Sequence, residues 1–163
     1  IAGGVHPNDR TGHDYWMQIL AEADAFGLQD RIIFTGFLND PQQQAAVLHQ
    51  ADCFLLPYDE VGQSGSAVLA DALAHIRPVV TSTARSMFVY RGNLDTVGSS
   101  VSVDVTDAAR LAATIERCVT PDQPTTLQML RHQQAVYKTY SLDQTQQRYQ
   151  QVYQSVRNKR NRS

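Results

Sequence analysis

Apolar positions along the chain alternate between a helical and a strand-like spacing. Over 13–26, "HDYWMQILAEADAF", the residues Trp16, Ile19, Leu20, Ala23 and Phe26 recur with the period of a helix that buries one face. Gly27 follows and predicts its stop. "RIIFTGF", from Arg31, is a short apolar run and predicts a buried strand. Asn39-Asp40-Pro41 sets a capping side chain before a proline suited to a first helical position, so "PQQQAAVLHQA" predicts a helix. "DCFLLP", from Asp52, is continuously apolar, as in a strand covered on both faces.

The same reasoning predicts a helix over about 64–75, a strand over 77–82 and a short irregular or helical stretch over 84–90. "GSSVSVDV" reads as a weaker strand, and Thr106-Asp107 caps a helix over about 108–119. Two further helices are expected over 121–140 and 142–158. The last is glutamine-rich, with Tyr149, Val152, Tyr153 and Val156 on one stripe. The opening "IAGG" reads as a strand end and its turn, so further sequence is expected upstream. Strands alternating with helices predict an α/β fold, a doubly wound parallel sheet flanked by helices. The expected organisation is one domain over 1–163.

In such a sheet ligands bind beyond the carboxyl ends of the strands. Gly3-Gly4, Gly36-Phe37 and Pro57-Tyr58 stand at three such ends. Gln63-Ser64-Gly65-Ser66 stands at the predicted start of the following helix. Free N–H groups and the helix dipole make that place a natural seat for a phosphate. The glycine lets a ligand approach the backbone and the serines add hydroxyls. A plain serine cap beside a glycine that only relieves crowding is the alternative. Asp71 could hold a ribose diol or face solvent. His6 and His75 could act as bases or phosphate donors, or be structural. Asp59 and Glu60 lie at a strand end.

Composition narrows the classes. Hydrophobic residues make up 42% and charged residues 18% of 163, an ordinary globular balance. A net charge of −2 gives no reason to expect nucleic acid as a partner. The basic tail from Arg157 to Arg162 reads as a solvated helix end or as a contact with acidic lipid heads. Cys53 and Cys118 form neither a disulfide framework nor a zinc site, which suits a cytoplasmic setting. No apolar run approaches the ~20 residues of a membrane span. The glycines do not follow G-x-G-x-x-G, no Walker A lysine is present and Ser64 lacks the G-x-S-x-G elbow, so a dehydrogenase, a P-loop NTPase and a serine hydrolase are disfavoured. No His/Cys cluster has metal-ligand spacing.

With these residues in hand, the chain resembles the C-terminal, nucleotide-sugar-binding domain of a family 4 (group 1) retaining glycosyltransferase of the GT-B fold. "IAGG", "AFGLQDRIIFTGFLND", "ADCFLLPY" and "ALAHIRPVVTS" match that family's running pattern in order, over nearly the whole chain. "GGVHP" resembles the turn of a bacterial branch, and "YSLDQTQQRYQQVYQSV" resembles the closing helix, which often crosses back to the other half.

The resemblance implies transfer of a sugar from a UDP-, GDP- or similar nucleotide donor, with no cofactor and no required metal. It implies backbone near Phe34, Gly36 and Phe37 against the base, and Ser64, Gly65 and Ser66 at the diphosphate. Gly3, Gly4 and Tyr58 stand with them as candidate donor-binding residues. A paired-glutamate motif has one acid near the donor sugar and a second at the ribose. Here Gln63 holds the first position, as the candidate catalytic residue, and Asp71 the second, eight residues on. "TARSMFVYRG" replaces a Gly-Gly-x-x-Glu loop, with Arg85 as a candidate phosphate partner. The acceptor is expected on an N-terminal half outside this sequence, toward which the helix over 141–160 would pack. The chain alone is expected to be inactive. Two other readings stand beside this one: a glycosyltransferase-like module that has lost catalysis, motivated by Gln63 and Asp71, and an unrelated flavodoxin-like or nucleotide-binding domain that shares only the α/β pattern.

Overall fold

The computed structural model describes residues 1–5, 12–87, 102–120 and 124–160. The chain packs into two compact units, Ile1–Ala51 and Asp52–Ser163.

The first unit holds α1 (Gly12–Ala25), a 3-10 turn (Gln29–Arg31) and α2 (Pro41–His49). The expected stripe is the packed face of α1. Ala23 is buried, and Trp16, Ile19 and Leu20 are half-buried. The Trp16 ring meets Phe34 edge to face, with centroids 4.7 Å apart. Phe26 falls just past the last turn and is exposed. Gly27 ends the helix in the left-handed region at φ 63. The Leu28 N–H reaches Ala23 O at 2.8 Å and the Gly27 N–H reaches Asp24 O at 2.9 Å. That pair of bonds satisfies carbonyls the helix leaves open. At the start of α2 the Asp40 carboxylate accepts from the Gln42 N–H at 2.9 Å, with Pro41 in the first turn.

The buried strand expected from Arg31 is not formed. The 3-10 turn occupies its start, and the residues after it are extended. The Thr35 N–H donates to Ile1 O at 3.2 Å, the Ile1 amino group donates to Ile33 O at 2.6 Å, and Gly3 bridges Gly36 antiparallel. Ile32 and Phe34 are half-buried while Ile33 is 78% exposed. Among the described residues this segment has one short neighbour, so it alternates faces instead of burying both.

The second unit carries the sheet. β1 (Phe54–Leu56) and β2 (Val79–Thr81) run parallel, pairing Phe54 with Val79, Leu55 with Val80 and Leu56 with Thr81. The Phe54 N–H donates to Pro78 O at 2.8 Å and the Ser82 N–H to Leu56 O at 3.1 Å. Ser102 makes a parallel bridge to Thr81, so the expected weaker strand reaches the sheet there; 98–101 lie outside the described residues. A helix, α3 (Ala67–Ala74), joins the two parallel strands. Then come a 3-10 turn (Arg85–Met87), α4 (Ala108–Val119), α5 (Pro124–Thr139) and α6 (Leu142–Arg160). Asp107 caps α4 as expected, accepting from the Arg110 N–H at 2.9 Å.

The core lies in this unit. Val79 and Val80 of β2 are fully buried, and Leu69 and Leu73 of α3, Cys118 of α4, and Met129 and Val136 of α5 are buried in the same unit. Leu55 of β1 is exposed, so β1 is covered on one face where coverage of both was expected. On α6 the predicted stripe of Tyr149, Val152, Tyr153 and Val156 is present and exposed.

Past α3, Ile76 adopts φ 51, the left-handed conformation, with its N–H on Leu73 O at 3.3 Å. A β-branched residue there is strained by roughly 1–2 kcal/mol, while glycine adopts it freely but loses more entropy on folding. Ile76→Gly is therefore expected to raise the unfolding free energy by about 0.5–1 kcal/mol, read by urea denaturation. Unchanged or lower stability would mean that the packing of Ile76 outweighs its strain.

Candidate functional site

The loop from β1 to α3 carries most of the expected residues. α3 begins at Ala67, three residues later than expected from Ser64, because the Ser66 hydroxyl rather than Ser64 meets the open backbone donors. Ser66 Oγ accepts from the Leu69 N–H at 3.1 Å. Such a cap contributes about 1 kcal/mol. Gln63, Ser64 and Gly65 precede it and are exposed. A Cβ added at Gly65 would meet nothing within 4 Å, so crowding by the protein does not account for that glycine.

A cavity of about 280 Å³ opens beside this helix start, lined by Gly65, Ser66, Leu69, Ser86, Tyr137 and Tyr140 among others. The Ser86 hydroxyl is buried and has no hydrogen-bond partner. Ser86, Tyr137 and Tyr140 were not foreseen. They come from distant parts of the chain, and no local motif marks them.

The other expected residues of this unit do not line that cavity. Asp71 is exposed in the second turn of α3. Because the helix starts late, Asp71 lies five residues past the cap rather than two full turns along from a capping Ser64. Arg85 is exposed in its 3-10 turn. His75 sits at the far end of α3 from Ser66, about 13 Å away at ~1.5 Å per residue, with its ring 6.0 Å from that of Phe54. Distance removes it from the helix start. Tyr58 is half-buried; burial first, and the Glu60 charge second, push its phenol above the usual tyrosine range. Glu60 Oε1 is itself buried without a partner. Asp59 is exposed, and His6 lies outside the described residues.

In the first unit Gly3, Gly4, Gly36 and Phe37 come together. The Gly3 N–H donates to Thr35 Oγ1 at 3.1 Å. A Cβ at Gly4 would fall 2.9 Å from Phe37 N and 3.1 Å from Gly36 C, so two backbones pass at a distance only glycine permits. Gly36 is at φ 68. Phe37 is exposed, while Phe34 is held against Trp16 as a packing residue. No group of three or more His, Cys, Asp or Glu side chains able to hold a metal occurs among the described residues. Among them, too, no helix is long and apolar enough to cross a membrane.

Comparison with known proteins adds the following. A family model described as glycosyl transferases group 1 matches residues 2–120. No curated protein matches. Among solved structures, the crystal structure of Anabaena HepE in complex with UDP is similar to this chain with a TM-score of 0.69 and 18% identity. The match covers 94% of this chain and 40% of HepE, so the chain spans well under half the length of that structure. Helices around a small parallel sheet thus form a Rossmann-like fold of the GT-B type, as the sequence led one to expect.

Proposed function

Because the chain belongs to the group 1 glycosyl transferases, we propose that it is the donor-binding half of a retaining enzyme. That enzyme moves a sugar from a nucleotide diphosphate sugar to a glycan, lipid or other acceptor. The observation that carries this reading is the start of α3, where exposed Gln63, Ser64 and Gly65 lead into a Ser66-capped helix just past a parallel strand. Open space at Gly65 and the partial positive charge of the helix end suit a diphosphate. HepE, whose structure is similar to this chain, was solved with UDP.

In this reading the chemistry is electrostatic. Backbone N–H groups and the hydroxyls of Ser64 and Ser66 stabilise the negative charge that gathers on the leaving diphosphate. Gln63 hydrogen-bonds the donor sugar without adding charge. Asp71 takes the ribose diol and Arg85 a phosphate oxygen. The exposed stripe of α6 supports its packing on an acceptor-binding half beyond this sequence. A cytoplasmic setting fits the two free thiols, and the basic end of α6 suits acidic lipid heads.

Gln63 and Asp71, standing where the family resemblance leads one to expect glutamates, motivate a second reading: a binding module that has lost catalysis. The double variant Gln63→Glu/Asp71→Glu in the full-length protein separates the two in a sugar-transfer assay. A site tuned to its own donor loses activity, by about tenfold for each ~1.4 kcal/mol of lost transition-state contact. A rise would favour the decayed module.

A further inference from the structure

The cavity beside α3 runs from the helix start toward the interior. Gly65 and Ser66 line its beginning. The Ser66 hydroxyl accepts from the Leu69 N–H and keeps its own proton to donate. Leu73, also in the lining, stands seven residues on, about 10 Å along the axis at ~1.5 Å per residue. Over that length the walls are apolar: Leu69 and Leu73 of α3 face Val136 of α5, and the two helices pack on each other. Tyr137 and Tyr140 complete the lining and reach solvent.

One polar group lines this cavity from a buried position. Ser86 is 1% exposed and its hydroxyl has no hydrogen-bond partner. A buried hydroxyl left unpaired is destabilising. Where it also lines a cavity, it marks the place of a ligand's polar atom.

The size and the direction of the cavity say which part of a ligand enters. At about 280 Å³ it is too small for a whole nucleotide sugar. The next step rests on the reading of the helix start as a diphosphate seat, with Asp71 at the ribose. At roughly 100° per residue, Asp71 lies on the opposite side of α3 from Leu69 and Leu73. The nucleoside therefore leaves away from the cavity, and the group that enters it is carried by the sugar.

The walls narrow that group. A ring hydroxyl must both donate and accept, and Leu69, Leu73 and Val136 offer it nothing. A methyl alone, as on a 6-deoxy sugar, suits the walls but leaves Ser86 unpaired. An acetamido group suits both, with a methyl for the apolar side chains and a carbonyl oxygen for the hydroxyl.

We propose that the cavity between α3 and α5 selects an N-acetylhexosamine donor, with Ser86 Oγ donating to the acetamido carbonyl and Leu69, Leu73 and Val136 around its methyl group.

The test measures dissociation constants by calorimetry on the full-length protein. The probes are UDP, GDP and ADP, each bare and as its N-acetylglucosamine and glucose conjugates. With the base that binds, the N-acetylglucosamine conjugate is expected to bind at least about tenfold tighter than the glucose conjugate. Ser86→Ala should reduce that preference to within about threefold while binding the bare diphosphate as the wild type does. Because the hydroxyl has no partner in the free protein, the same variant should melt no lower than the wild type without ligand. Equal binding of the two conjugates, with the bare diphosphate bound, would overturn the proposal and leave the diphosphate seat standing. A preference that survives Ser86→Ala would also overturn it. Binding of none of the probes would overturn the proposal and the reading beneath it together.

Discussion

Met129→Ala is expected to lower the unfolding free energy of the second unit by about 2–5 kcal/mol. Met129 is fully buried on α5 and touches Cys118 of α4. α5 packs against both α3 and α4, so the lost side chain sits where three helices meet. Truncation removes the transfer free energy of its apolar atoms and leaves a cavity that the sheet, with Val79 and Val80 fully buried, is too tightly held to fill. Leu127→Ala on the same helix is the control. Leu127 is about half exposed, so its loss should cost well under 1 kcal/mol. Urea denaturation followed by circular dichroism measures both. Equal costs at the two positions would mean that α5 does not close this core.

Gly4→Ala is expected to cost about 1–3 kcal/mol, concentrated in the first unit. The added methyl would fall on backbone atoms, at 2.9 Å from Phe37 N and 3.1 Å from Gly36 C. Backbone cannot rotate aside as a flexible side chain does. The first unit has little core with which to absorb the displacement: Ala23 is its one buried apolar side chain among the described residues. Trp16 is the chain's single tryptophan and rests on Phe34, so its fluorescence reports this unit. The midpoint of the fluorescence transition should fall in Gly4→Ala. It should barely move in Gly62→Ala, where a new Cβ meets nothing within 4 Å. Equal behaviour of the two variants would contradict the close approach.

The sequence was most legible where a feature is local. Asp40 before Pro41, Asp107 before α4 and Gly27 after α1 each satisfy backbone groups within a few residues, and each is found in its expected role. The stripe on α6 was readable from its period, and the helix carries it. Features that depend on distant partners were less legible. "RIIFTGF" is as apolar as a buried strand, yet its burial depends on neighbours that composition does not name. The start of α3 was placed early because Ser64 and Ser66 are chemically alike, and only the fold decides which hydroxyl meets Leu69 N. Nothing in the letters marks Ile76 as left-handed or brings Ser86 and Tyr137 to one cavity. The family itself was legible because it rests on the order of many weak motifs, and the family model covers those within residues 2–120, which leaves out the closing helix.

The central claim is that the start of α3 serves a nucleotide diphosphate. Thermal unfolding with UDP, GDP, ADP and their sugar conjugates at millimolar concentration tests it most directly, first on this chain and then on the full-length protein. A ligand at a hundred times its dissociation constant adds about 2.7 kcal/mol, a readily visible shift. The account predicts a rise with the diphosphates of one base, weakened by Ser66→Ala beyond that variant's own loss of stability. No rise with any of them in the full-length protein would contradict it.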